Sequence, residues 1–103
     1  MKLEIHNQVI SFINSQSPKV QAKIVRSIDL LEKFGLRLTY PHLKKLKNVA
    51  LWELRIIFGS NIFRILINFQ PNQLNLVHTF QKKSKKTPLK EIKTALMRIR
   101  KLL

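Results

Sequence analysis

Two arginines, Arg55 and Arg64, stand in strand-like runs and are followed closely by four lysines, Lys82, Lys83, Lys85 and Lys86. In the run at 51–58 the apolar residues Trp52, Leu54, Ile56 and Phe58 alternate with Glu53 and Arg55, so the arginine falls on the face opposite the apolar side chains. In the run at 61–69, Phe63, Ile65, Ile67 and Phe69 form the apolar face and Arg64 lies opposite. With Gly59 and Ser60 as a two-residue turn, Arg55 is directly across from Arg64; a turn wider by one residue at each end leaves them diagonal. Both registers put the arginines on one face, whereas a one-residue slip mixes polar with apolar positions. Like charges so placed repel, and an anionic ligand or solvent screening must offset them.

Cations are sufficient for one reaction class, cleavage of RNA by its own 2'-hydroxyl. The nucleophile is already part of the substrate, so the protein has to orient it, neutralise the charge on the phosphorane and manage two protons. Arginine supplies a bidentate, permanently charged fork for phosphate oxygens. Crowding within the lysine run favours a neutral amine able to accept a proton. The competing description has Arg55 and Arg64 as solvated sheet arginines and the lysines as a surface loop.

Other chemistries find little support. There is no cysteine, which excludes thiolate catalysis, disulfides and cysteine-ligated metals. His6, His42 and His78 lie far apart without metal-ligand spacing, and the five acidic residues form no obvious carboxylate pair. No phosphate-binding glycine loop or serine nucleophile elbow is present. No metal or cofactor is therefore expected. If the third run turns at Pro71 and Asn72, then Leu74, Leu76 and His78 are in phase with the core face, and Val77 and Thr79 with Arg64. His78 reads from that phase as structural.

The elements that must position these residues suit a chain of 103 residues with 20 Lys and Arg against 5 Asp and Glu, a formal charge of +15. That length predicts one domain, 1–103, around one modest core. The charge predicts attraction to polyanions, without separating RNA, DNA, ribosomes or an anionic membrane. No apolar run is long enough to span a bilayer, and MKLEIHNQVISF lacks the order of a signal peptide. Cytoplasmic residence is the expectation.

Apolar spacing predicts a first helix from about His6 to Ser15 with Asn7 as its cap, preceded at Lys2 to Ile5 by a short strand or a helical extension. Ser17 and Pro18 predict the start of a second helix. Val20, Ile24, Ile28, Leu31 and Phe34 give that helix its apolar face, and Gly35 its stop. The connection from Leu36 to Val49 has room for a short edge strand and carries Lys44, Lys45 and Lys47, either solvated or facing a ligand. Three strands follow as a meander. Thr87 and Pro88 then open a terminal amphipathic helix with Leu89, Ile92, Leu96, Ile99 and Leu103 on one face. The fold class expected is α+β.

Several segments together resemble a known family. LWELR, an arginine in the second strand, LVHTF, KKSKKTP and a terminal helix beginning LKEIKTA are similar in kind and order to the phage-derived, HigB-type branch of the RelE/ParE toxin superfamily, and LLEKFG and LKKLK extend the likeness over nearly the whole chain. Phe63 stands where a tyrosine is usual, Thr79 where a glycine is usual, and the only tyrosine is Tyr40 rather than a C-terminal one.

The resemblance implies a small RelE-like fold, a three- to four-stranded antiparallel sheet packed against two N-terminal helices, with a C-terminal helix. It implies the toxin of a type II toxin-antitoxin pair, cleaving mRNA in the ribosomal A site without a metal, and bound by a cognate helix-turn-helix, HigA-like antitoxin. Arg55, Arg64 and Lys83 take the catalytic positions by that resemblance: Arg64 on the scissile phosphate, Lys83 as proton donor or further phosphate contact. Lys44, Lys45, Lys47, Lys82, Lys85 and Lys86 are the accompanying RNA-binding candidates. Arg64→Ala is expected to abolish activity with fold and antitoxin affinity retained. The alternative is a non-catalytic basic module that binds RNA or ribosomes, or a decayed toxin that binds only its antitoxin.

Overall fold

A computed structural model of the chain describes residues 2–38, 42–81 and 86–102. The elements run β1 (Lys2–Ile5), α1 (Asn7–Asn14), α2 (Pro18–Phe34), a 3-10 turn (Gly35–Arg37), β2 (Leu43–Lys45), β3 (Trp52–Phe58), β4 (Asn61–Gln70), β5 (Gln73–Gln81) and α3 (Leu89–Leu102). The strands form one sheet in the order β1-β5-β4-β3-β2. The β1 strand is parallel to β5 and the other pairings are antiparallel. The sheet is thus five-stranded and mixed, not the three- to four-stranded antiparallel sheet expected. Lys2–Ile5 is too short to announce itself, and it becomes a strand because the outer edge of β5 offers it a ladder.

The two turns of the meander follow from local chemistry. Gly59 has φ of 61°, which its missing Cβ permits, and begins the turn that brings Phe58 opposite Asn61. Pro71 then Asn72, the latter at φ 63°, close β4 onto β5 with Gln70 opposite Gln73, the proline and positive-φ order of a type II turn. From the first turn the β3–β4 register runs Trp52↔Ile67, Leu54↔Ile65 and Arg55↔Arg64, the direct one of the two registers that the alternation allows.

Helix α2 begins where serine and proline place it: the Ser17 side chain accepts from the Val20 amide at 3.4 Å, and Pro18 occupies the first turn. Val20, Ile24, Ile28 and Leu31 are buried from this helix, while Phe34 is 37% exposed. Phe34 sits in the last turn and leaves the sheet there, so it does not share the core face. The cap of α1 is His6 rather than Asn7, because Nδ1 of His6 accepts from the Gln8 amide at 3.0 Å.

Both faces of the sheet are covered, so the expected single core is divided in two. On one face Leu54, Ile56, Phe63, Ile65, Ile67, Leu74 and Leu76 pack with Val9, Val20, Ile24, Ile28 and Leu31 from α1 and α2. On the other, Leu51, Leu66, Val77 and Phe80 pack with Ala95 and Ile99 of α3, each large side chain stabilising by about 1.5–3 kcal/mol when fully buried. Trp52 packs on the first core, edge-on to Phe69 at 5.0 Å, and Phe63 and Phe80 are buried. Leu89, expected on the apolar stripe of α3, is 64% exposed. Among the described residues no helix is long and apolar enough to cross a membrane.

Candidate functional site

The arginine face of the sheet is covered by α3 along β5 and β4. Its cationic and polar side chains are held by a few specific partners. On β3, Glu53 and Arg55 follow the alternation; on β4, Arg64 does so between Phe63 and Ile65. Arg64 is 1% exposed and Glu53 is 3% exposed, with Arg64 Nε 3.8 Å from Glu53 Oε1. The other carboxylate oxygen of Glu53 accepts a hydrogen bond from the Thr87 hydroxyl. Thr87 therefore anchors the entry to α3 onto the sheet. Its hydroxyl donates to a side chain 34 positions earlier in the chain.

Arg55 differs from Arg64. It is half-buried, and it forms no ion pair among the described residues. Its Nε is buried without a hydrogen-bond partner among the described residues, a costly state for a charged donor. Its Cα lies directly opposite that of Arg64. Its backbone amide donates to the His42 carbonyl at 2.8 Å, which fixes the strand edge beneath it.

A bulge in β5 changes which residues join this face. The pairing runs Phe69↔Leu74 and Ile67↔Leu76, then shifts so that Leu66 is opposite His78 and Arg64 opposite Phe80. Val77 is the extra residue, and everything after it changes side. His78 consequently belongs to the Arg64 face and Thr79 to the α1 side, the reverse of the assignment expected from unbroken alternation. The bulge leaves backbone groups that need partners. Arg98 of α3 donates to the Val77 carbonyl at 3.0 Å. The Gln8 side chain accepts from the Thr79 amide at 3.1 Å and donates to its carbonyl at 3.0 Å, continuing the ladder where β1 stops.

His78 is gripped from both ring nitrogens. Arg98 donates to Nδ1 at 2.8 Å, so the ring proton is on Nε2, 3.3 Å from Glu91 Oε2. The ring also stacks on Phe80 with centroids 5.8 Å apart. Burial is the main reason that the His78 pKa lies below 6.5, opposed by Glu91 and assisted by Arg98. Held neutral and bonded at both nitrogens, His78 works as a fastener for α3. The structural character expected of it stands, on the opposite face of the sheet.

His6 is also pushed below 6.5, first by burial and then by Arg98 and Lys101. Its Nδ1 can cap α1 only when unprotonated. The sign of the pH dependence follows. Below about pH 6.5 the unfolded chain takes up protons at both histidines while the folded chain resists. Stability is therefore complete above pH 6.5 and declines as the pH falls toward the lowered folded values. Urea midpoints at about pH 7.5 and pH 5.5 will show a drop in the native chain, and a smaller drop in a His6→Asn/His78→Gln variant. An equal drop in both removes the histidines as its cause.

The lysine candidates separate. Lys44 of β2 is opposite Glu53 and exposed, on the arginine face. Lys45 is engaged on the other side: Nζ donates to the Leu46 carbonyl at 2.9 Å and to the Val49 carbonyl, and lies 5.1 Å from the Trp52 ring centroid. Lys47 is exposed in the β2–β3 turn and Lys86 is exposed before α3. Lys82, Lys83 and Lys85 lie outside the described residues. No group of three or more His, Asp or Glu side chains able to hold a metal occurs among the described residues.

The site thus brings together Arg55, Arg64 and Lys44, and adds Glu53, His78, Glu91 and Arg98, none of which had been singled out as site residues. Glu53 carried a signal, since a carboxylate in phase with Arg55 on a basic face is a natural partner for one arginine. His78 carried none, because the bulge is stabilised from α1 and α3.

A family model described as phage-derived protein Gp49-like (DUF891) matches residues 11–100. The chain belongs to that family. The Gp49-like family is associated with RelE-type, toxin-like proteins. No curated protein matches the chain. The matched segment of this Gp49-like chain contains β2 to β5 and all of the arginine face, while β1 and His6 precede it.

Proposed function

We propose that this Gp49-like protein is the HigB-type toxin of a type II toxin-antitoxin pair, a ribosome-dependent endoribonuclease that acts in the cytoplasm on mRNA in the A site. One observation carries the proposal: Arg55 is half-buried beside a second arginine, with no ion pair and an unpartnered Nε among the described residues. A phosphodiester supplies the missing charge and the missing acceptor together. The attacking 2'-hydroxyl belongs to the substrate, and cleavage yields a 2',3'-cyclic phosphate and a 5'-hydroxyl. Arg55 neutralises the phosphorane, and Lys44 and Lys86 guide the strand. Lys83 remains the proposed proton donor on the family resemblance. A helix-turn-helix antitoxin is the proposed inhibitor.

A second reading is favoured by a different observation. Arg64 is sealed beneath α3 with Glu53, as in a protein that binds RNA or ribosomes without cutting. Controlled expression followed by mapping of mRNA 5' ends separates the two. Growth arrest with new 5'-hydroxyl ends inside translated codons is the expected result. Arrest with intact transcripts supports the binding module and sinks the nuclease.

A further inference from the structure

Away from α3, a groove runs between the flank of α2 and the edge of β3. It comprises two adjoining hollows of about 150 and 160 Å³ that share Ser27, Leu30, His42 and Arg55. Its floor is aliphatic, with Leu30 44% and Ile57 51% exposed. Its rim carries Lys23 and Arg26 of α2, and it ends at Arg55 on β3, where the arginine face begins. Helical phase accounts for this. Lys23, Arg26, Ser27 and Leu30 occupy one flank of α2, whereas Asp29 and Glu32 fall on another and line neither hollow.

We propose that this groove is a docking site for an acidic, amphipathic peptide segment of a partner protein. Two features select that occupant. Lys23 and Arg26, both outside the arginine face, border the groove, and no carboxylate is found among its described lining residues, so charge complementarity calls for an anionic partner. The floor offers branched aliphatic side chains and, among its described lining residues, no aromatic ring apart from His42. Leucine and isoleucine side chains fill such a floor. Single-stranded RNA is recognised instead by stacking its bases on aromatic platforms. The proposal holds whether or not the protein cleaves RNA, since Lys23, Arg26 and Leu30 lie outside the arginine face.

The test uses a fluorescent synthetic peptide alternating glutamate and leucine, with an unstructured RNA oligonucleotide as competitor. A chain of charge +15 attracts any anion, so the control must match charge. Lys23→Glu/Arg26→Glu is compared with Lys90→Glu/Lys93→Glu, which changes two exposed α3 lysines. The groove variant is expected to bind the peptide about tenfold more weakly and the α3 variant to stay near the native affinity. Leu30→Ser weakens binding with no change of charge, and circular dichroism verifies that each variant is folded. Equal losses in the two charge variants overturn the proposal, as does an unchanged affinity in Leu30→Ser. Displacement of the peptide by RNA, with the RNA affinity lost in the groove variant, assigns the groove to nucleic acid and also overturns it.

Discussion

Arg64→Ala is expected to cost about 3–5 kcal/mol of folding stability, because it strands a carboxylate in the sheet–α3 interface. Glu53 is 3% exposed and has Arg64 at 3.8 Å and the Thr87 hydroxyl as partners. Without the guanidinium its charge is left buried with the Thr87 hydroxyl as its remaining described partner. Urea unfolding measures the loss directly. Glu53→Leu/Arg64→Met should recover most of it, since replacing both members of a buried pair by apolar side chains removes the desolvation penalty along with the attraction. A native midpoint for Arg64→Ala shows that the pair is not buried as described. The sequence suggested that this substitution leaves the fold intact. Its burial corrects that expectation, so loss of toxicity in Arg64→Ala cannot by itself report on phosphate contact.

Arg55→Ala is the cleaner probe of chemistry. Arg55 has no ion pair among the described residues and is only half-buried, so its truncation is expected to change stability by no more than about 1 kcal/mol. On the proposed function, it removes a donor aimed at the developing phosphorane charge and lowers cleavage by about 10²–10³-fold. The measurement is single-turnover cutting of mRNA on programmed ribosomes by purified protein. Arg55→Lys should restore part of the rate, because it keeps the charge and loses the bidentate fork. Cleavage at the native rate by Arg55→Ala takes the residue out of the mechanism. A chain that is folded, binds ribosomes and never cuts favours the non-catalytic module.

The hairpin that carries both arginines was legible because its information is local. Alternation over β3 and β4 fixes which side chains share a face, and a slipped register would have exposed the apolar set, while the turn length was left between two values. The start of α2 was legible for the same reason, since Ser17 and Pro18 act within one turn of themselves. The N-cap of α1 was misplaced by one residue, where His6 accepts the amide hydrogen bond expected of Asn7.

The rest depended on contacts far apart in the chain. LVHTF is compatible with either phase, and the bulge at Val77 is chosen by Gln8 from α1 and Arg98 from α3, which satisfy the backbone groups it exposes. That single extra residue moves His78 to the arginine face. The amphipathic stripe of α3 is evident in the sequence, but not the surface it covers. Leu66, Val77 and Phe80 receive it, and in doing so enclose Arg64 and Glu53. By itself, then, the sequence determined the three strands of the meander and the basic face that Arg55 and Arg64 share. Tertiary structure decided which arginine is enclosed and which retains an open demand for an anion, because burial is a property of the assembled layers and not of any one segment.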